Sequence, residues 1–101
     1  MPRSRYKKSD EFHHSFIFIK MYYGYILYSR TKDRYYVGYT HNIEIRLSKH
    51  NAGATPSTRG CRPWELVYSE EYIDKSSALF REREIKSKKS RKYIEHLVAK
   101  G

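Results

Sequence analysis

Apolar and polar positions follow no sustained period from Met1 to about Lys20, and the chain becomes strongly patterned from Met21 onward. Tyr22 to Ser29 and Tyr35 to Thr40 are rich in Tyr, Ile and Val, residues that suit a pleated, half-buried surface. The polar Thr31-Lys32-Asp33-Arg34 between them supplies turn chemistry, so the pattern predicts a β-hairpin. Ile43 and Leu47 then fall one helical turn apart, behind Asn42 as N-cap and ahead of Gly53 as a stop, which predicts a short amphipathic helix. Ala52 to Pro63 holds two glycines, two prolines and two arginines and reads as a loop, after which Trp64 to Glu71 returns to strand composition.

Asp74 can cap a helix carrying Ala78, Leu79 and Ile85, and Ser90 a final helix carrying Tyr93, Ile94, Leu97 and Val98. The order is ββαβαα, without internal repeats. The predicted class is α+β, a small three-stranded, mainly antiparallel sheet flanked by helices. Residues 1–20 are expected to form a flexible N-terminal tail and residues 21–101 the folded domain. Met21 stands at that boundary, so translation starting there is a hypothesis; an N-terminal peptide from the Met1 region in the native protein's mass spectrum would overturn it.

A chain of 101 residues accommodates one core of ordinary size, and so one site. Lys and Arg number 21 against 11 Asp and Glu, a formal net charge of +10 spread along the sequence, for which a polyanionic partner is the first inference. Ribosome contacts or an anionic membrane surface would also account for the charge. The single cysteine, Cys61, rules out an intramolecular disulfide, and no Cys/His cluster has zinc-site spacing. No apolar run approaches bilayer-spanning length, and the Phe16-Ile17-Phe18-Ile19 cluster ends at Lys20 without a small-residue cleavage site. A reducing cytoplasmic setting is expected, with no membrane partner.

Strand alternation puts Tyr23, Tyr25 and Leu27 on one face and Tyr36, Gly38 and Thr40 on a face of the neighbouring strand, so two tyrosines can converge, with Gly38 leaving room for a ligand or another backbone. Tyrosine is also an ordinary packing residue of strands. Arg46 and His50, four residues apart, set a fixed cation and an imidazole on one helix face, which suits a phosphate or is simply a solvated helix side. Glu82 falls with Ala78 and Ile85 on the apolar face of the next helix. A carboxylate there calls for an ion pair with Arg81 or Lys86, or for a hard cation such as magnesium.

In this order the elements resemble the GIY-YIG nuclease family, in particular its small standalone bacterial members, over nearly all of Tyr22 to Val98. The motifs are Tyr23-Gly24-Tyr25 followed by Ile26-Leu27, then Tyr36-Val37-Gly38 followed by Tyr39-Thr40. Next come Arg46-Leu47-Ser48-Lys49-His50-Asn51 with Gly53, Thr58-Arg59-Gly60, and Arg62-Pro63-Trp64-Glu65-Leu66-Val67-Tyr68. Ala78-Leu79-Phe80-Arg81-Glu82 with Ile85-Lys86 closes the set. The first motif reads Tyr-Gly-Tyr in place of Gly-Ile-Tyr and keeps its tyrosine at Tyr25. The resemblance implies the GIY-YIG fold and phosphodiester hydrolysis with one metal ion, magnesium or manganese. In it Tyr36 relays or accepts the proton of the attacking water and Tyr25 helps to position water or phosphate. Arg46 stabilises charge on the phosphate, His50 orients a neighbour or assists proton transfer, and Glu82 holds the metal.

Lys49, Arg59, Arg62, Lys86, Lys88 and Lys89 are candidates to track a nucleic-acid backbone, giving affinity without reading sequence. Trp64 opens a strand and reads as a core or loop anchor. The leading expectation is a structure-selective or weakly sequence-specific DNA endonuclease of repair or recombination. Beside it stand a catalytically weak nucleic-acid-binding module and an accessory subunit of a larger nucleoprotein complex. A protein partner or a homodimer would then supply specificity.

Overall fold

The computed structural model describes residues 20–101. The tail expected over residues 1–20 therefore lies, apart from Lys20, outside the described residues. Strands β1 (Tyr22–Ser29) and β2 (Arg34–Thr40) form the hairpin, with Asp33 in the left-handed region at φ 53° in the turn. Asp and Asn tolerate that conformation better than most residues do, because a short polar side chain can bond locally. The Asp33 carboxylate accepts from Tyr28 Oη and from Arg91, both at 2.6 Å. Helix α1 (Ile43–Asn51) starts at Asn42, whose side chain accepts from the Ile45 N–H, and stops before Gly53, which takes φ +82°.

Between α1 and strand β3 (Trp64–Tyr72) the expected loop contains a one-turn helix, α2 (Pro56–Arg59). The sequence pattern missed it because four residues are too few to display a helical period. Pro56 nevertheless suits a first helical turn, where its fixed φ fits and its missing N–H costs nothing. Helices α3 (Lys75–Ser87) and α4 (Arg91–Lys100) follow, capped by Asp74 and Ser90, whose side chains accept from the Ser77 and Tyr93 N–H groups. The observed order is thus the predicted ββαβαα with one turn added.

The sheet is antiparallel throughout in the order β2-β1-β3. Central β1 is covered on both sides, and Gly24 to Leu27 are all buried. Tyr25 and Leu27 point to one face, joined by Cys61 and Trp64 and flanked by Tyr36, Ile43 and Leu47. Ile26 points to the other, with Val37, Ile85 and Leu97 under Tyr35, Val67, Tyr68, Tyr93 and Ile94. Each fully buried aliphatic side chain contributes roughly 1.5–3 kcal/mol. A bulge opposite Ile26 and Leu27 shifts the β1/β3 register, pairing Ile26 with Tyr68 but Leu27 with Leu66. The second face is further tied by Glu70, which takes Arg81 Nε at 2.9 Å and Nη2 at 3.1 Å, Tyr72 Oη at 2.6 Å and also Tyr68 Oη. Trp64 is buried, as its place at the start of β3 suggested.

Candidate active site

The site is built on the face of the hairpin that α1 covers. Tyr25 and Gly38 are direct partners across β1 and β2, as are Leu27 and Tyr36. The Tyr25 ring therefore crosses β2 at Gly38, where a Cβ would stand 2.6 Å from its Oη and 2.7 Å from its Cζ. The space expected at Gly38 for a ligand or another backbone is taken by Tyr25 itself. The glycine is needed because two side chains cannot share one position. The Tyr25 and Tyr36 rings lie 6.3 Å apart.

Helix α1 delivers the next two groups. Arg46 lies near both tyrosines, whose interaction with the guanidinium raises its pKa. His50, fully buried, places Nε2 3.4 Å from Tyr25 Oη and Nδ1 2.9 Å from Thr58 Oγ1, with its ring edge-on to Tyr36 at 4.8 Å. Burial pushes the Tyr25 phenol up to about 12, although the hydrogen bond and charge of Arg46 pull the other way. Burial, assisted by the Arg46 charge, holds His50 below the ordinary imidazole value, so at neutral pH it is an uncharged ring with one lone pair available.

Glu82 approaches from α3, at the margin of this group. Its side chain is 12% exposed and is paired with Lys86, Nζ to Oε2 2.8 Å, and its negative charge reaches Tyr25. Of the two counter-ions weighed from the sequence, Lys86 is therefore the one used; Arg81 turns to Glu70 and Glu84. Among the described residues no three of His, Cys, Asp and Glu gather to hold a metal ion. The donor set available is one hard carboxylate, which fits an ion that takes its other ligands from water and phosphate oxygens.

The structure thus brings Tyr25, Tyr36, Arg46 and His50 into one contact group with Glu82 at its edge. It distributes the six proposed backbone contacts more widely. Lys86 and Lys89 line a cleft of about 290 Å³ with Tyr35, Tyr36, Val37 and Ile94 beside the candidate site. Lys88 sits over the Tyr93 ring at 5.4 Å, and Lys49 is exposed on α1. Arg59 and Arg62 are exposed but anchored through Nε, Arg59 to the Gly53 carbonyl at 2.9 Å and Arg62 to the Arg59 carbonyl at 2.8 Å. Thr58, 2% exposed and bonded to His50, was given no role from the sequence; the only signal was its presence in the Thr58-Arg59-Gly60 block.

An α+β domain whose tyrosine hairpin faces an arginine and a histidine on the following helix, with a glutamate brought up by the next, has the layout of a small nuclease-family domain. A family model described as the GIY-YIG catalytic domain matches residues 21–94, and the chain belongs to the GIY-YIG family. It is similar to the UPF0213 proteins. One from Natronomonas pharaonis is 47% identical over 79 residues, covering 77% of this chain and 91% of that protein. Another, from Lactiplantibacillus plantarum, is 38% identical over 84 residues, covering 80% and 82%. The solution NMR structure of a UPF0213 protein from Bacillus halodurans matches with a TM-score of 0.50 at 35% identity, over 78% of this chain and 83% of that one.

Proposed function

We propose that the protein is a metal-dependent endonuclease that hydrolyses phosphodiester bonds in DNA in the cytoplasm, selecting substrates by structure more than by sequence, in repair or recombination. The observation that carries this reading is the contact group itself. A buried imidazole touches both tyrosines, an arginine lies near them, and a carboxylate stands at the rim. Hydrolysis needs a path for the water's proton, positive charge for the phosphate oxygens, and an anchor for a hard cation, and these groups can supply each.

In this reading Tyr36 relays the proton of the attacking water and Tyr25 helps to position that water. Arg46 donates to a non-bridging oxygen as negative charge grows there. His50, uncharged, contacts the Tyr25 hydroxyl and keeps its ring fixed between the two phenols. Glu82 would hold magnesium or manganese, which when bound polarises the phosphoryl oxygen and eases departure of the leaving group. Lys86 and Lys89 in the cleft beside Tyr36, with Lys49, Lys88, Arg59 and Arg62, follow the strand through its phosphates. Such contacts give affinity without sequence reading. A second copy or a protein partner would add specificity.

The test is to incubate the protein with labelled single-stranded, duplex and branched DNA in magnesium, manganese or chelator, beside Glu82→Ala and Tyr36→Phe. Metal-dependent cutting that both variants lose while binding persists is the expected result. Binding without cutting by the parent on every substrate would overturn it in favour of a binding module or accessory subunit.

A further inference from the structure

His50 touches a group that the proposed chemistry does not use. Its Nδ1 lies 2.9 Å from Thr58 Oγ1, and Thr58 Oγ1 in turn lies 3.3 Å from the Thr55 carbonyl oxygen. Thr58 is held firmly, for its own carbonyl accepts from Trp64 Nε1 at 2.9 Å. Trp64 is fixed to the end of α1 by Asn51, which accepts from the Trp64 N–H at 2.6 Å and donates to its carbonyl at 3.0 Å. The turn α2 therefore presents one hydroxyl to one nitrogen of a fully buried ring.

We propose that Thr58 is a positioning residue that fixes His50 in the tautomer protonated at Nδ1, so that the Nε2 lone pair faces the Tyr25 hydroxyl. Counting donors and acceptors sets the direction. Arg46, the charged neighbour of Tyr25, carries only donors and cannot accept the phenol's proton. The Tyr25 hydroxyl proton has one acceptor among the described contacts, His50 Nε2. With Nε2 as acceptor, the neutral ring carries its hydrogen on Nδ1 and donates to Thr58 Oγ1, leaving the Thr58 hydrogen for the Thr55 carbonyl. In the opposite tautomer Tyr25 would receive from His50, and its O–H would lack an acceptor among the described contacts although the residue is only 1% exposed. A buried donor left without a partner is the more costly arrangement.

The consequence for cleavage rests on the roles proposed for Tyr25 and His50, whereas the tautomer can be read without cleavage. In the full chain labelled with 15N-histidine, long-range 1H–15N correlation spectra at pH 7.5 should show His50 protonated at Nδ1. Thr58→Val should abolish that pattern in favour of the Nε2-protonated form or a mixture and lower single-turnover cleavage about tenfold, the scale of one lost hydrogen bond. Thr58→Ser should restore both. An Nε2-protonated His50 in the parent, needing no substitution to observe, would overturn the proposal. So would a folded Thr58→Val protein with the tautomer unchanged. A parent that cuts no substrate would defeat the nuclease reading and leave the tautomer result standing.

Discussion

Lys86 Nζ stands 2.8 Å from Glu82 Oε2 and 5.9 Å from the centre of the Tyr36 ring. One ammonium thus serves the carboxylate and borders the aromatic wall of the candidate site. The pair sits one helical turn apart on α3, with Glu82 almost covered and Lys86 half exposed at 12% and 50%. A carboxylate so covered needs a counter-charge. Lys86 supplies it from a flexible stem that can swing into solvent when another cation takes its place.

If Glu82 holds the metal as proposed, Lys86 and a divalent ion compete for one carboxylate. Lys86→Met keeps the aliphatic stem and removes the competitor. A partly exposed pair contributes roughly 0.5–1 kcal/mol, so the Kd for manganese should tighten about two- to fivefold. Titration calorimetry or manganese paramagnetic resonance on the DNA-free protein measures this directly. Lys89→Met, which removes an equal charge from the same cleft, is the control and should change the Kd less.

Gly38→Ala should displace Tyr25, because the new methyl would fall 2.6 Å from a phenol oxygen confined beneath α1. The ring cannot yield as a surface side chain would, and overpacking of this kind costs about 1–3 kcal/mol. Thermal unfolding should register that loss, and cleavage should fall further than stability does because the Tyr25–His50 contact is broken. Gly60→Ala, where a Cβ meets nothing within 4 Å, should leave both unchanged.

Stability should fall steeply in acid through Glu70. Burial alone would raise its pKa, but hydrogen bonds from Arg81, Tyr68 and Tyr72 outweigh that and hold the carboxyl at about 2, against 4.5 in an ordinary setting. The folded state thus binds the proton less readily than the unfolded one. The contribution is whole above pH 4.5 and is lost as pH falls toward 2. The displacement corresponds to about 3 kcal/mol at most, since the side chain keeps some contact with solvent. Denaturant unfolding from pH 6 to pH 2 should show a decline that is shallower in Glu70→Gln, which starts from lower stability at neutral pH.

The elements legible in the sequence were those whose side chains repeat at the period of their backbone or cap its ends. Asn42, Asp74 and Ser90 each accept the N–H their positions implied, and Tyr25 and Tyr36 meet because strand alternation and a short turn leave little freedom. Turn α2 was not legible, being too short for a period. With it went Thr58, whose contact with His50 joins two segments by tertiary packing alone. The use of Gly38 was misjudged for a related reason. A glycine reports that a side chain is excluded, but not which neighbour excludes it.

Lys88 and Lys89 offer a means of separating affinity from chemistry. Both are exposed where α3 gives way to α4, and neither makes an ion pair among the described residues. Lys89 borders the cleft shared with Tyr36, whereas Lys88 leans over the Tyr93 ring and does not line that cleft. If both neutralise phosphates, each alanine substitution should reduce the slope of log K against log salt by about one and weaken all sequences alike. Cleavage within the bound complex should then divide the two. Lys88→Ala should cut at the parent rate once saturated, because Lys88 does not line the cleft beside Tyr36. Lys89→Ala should cut more slowly even when saturated, because the strand that passes Tyr36 is no longer held in the cleft. Salt-dependent binding together with single-turnover rates at saturating protein measures both quantities. Equal saturated rates for the two variants would remove the cleft from the path of the substrate.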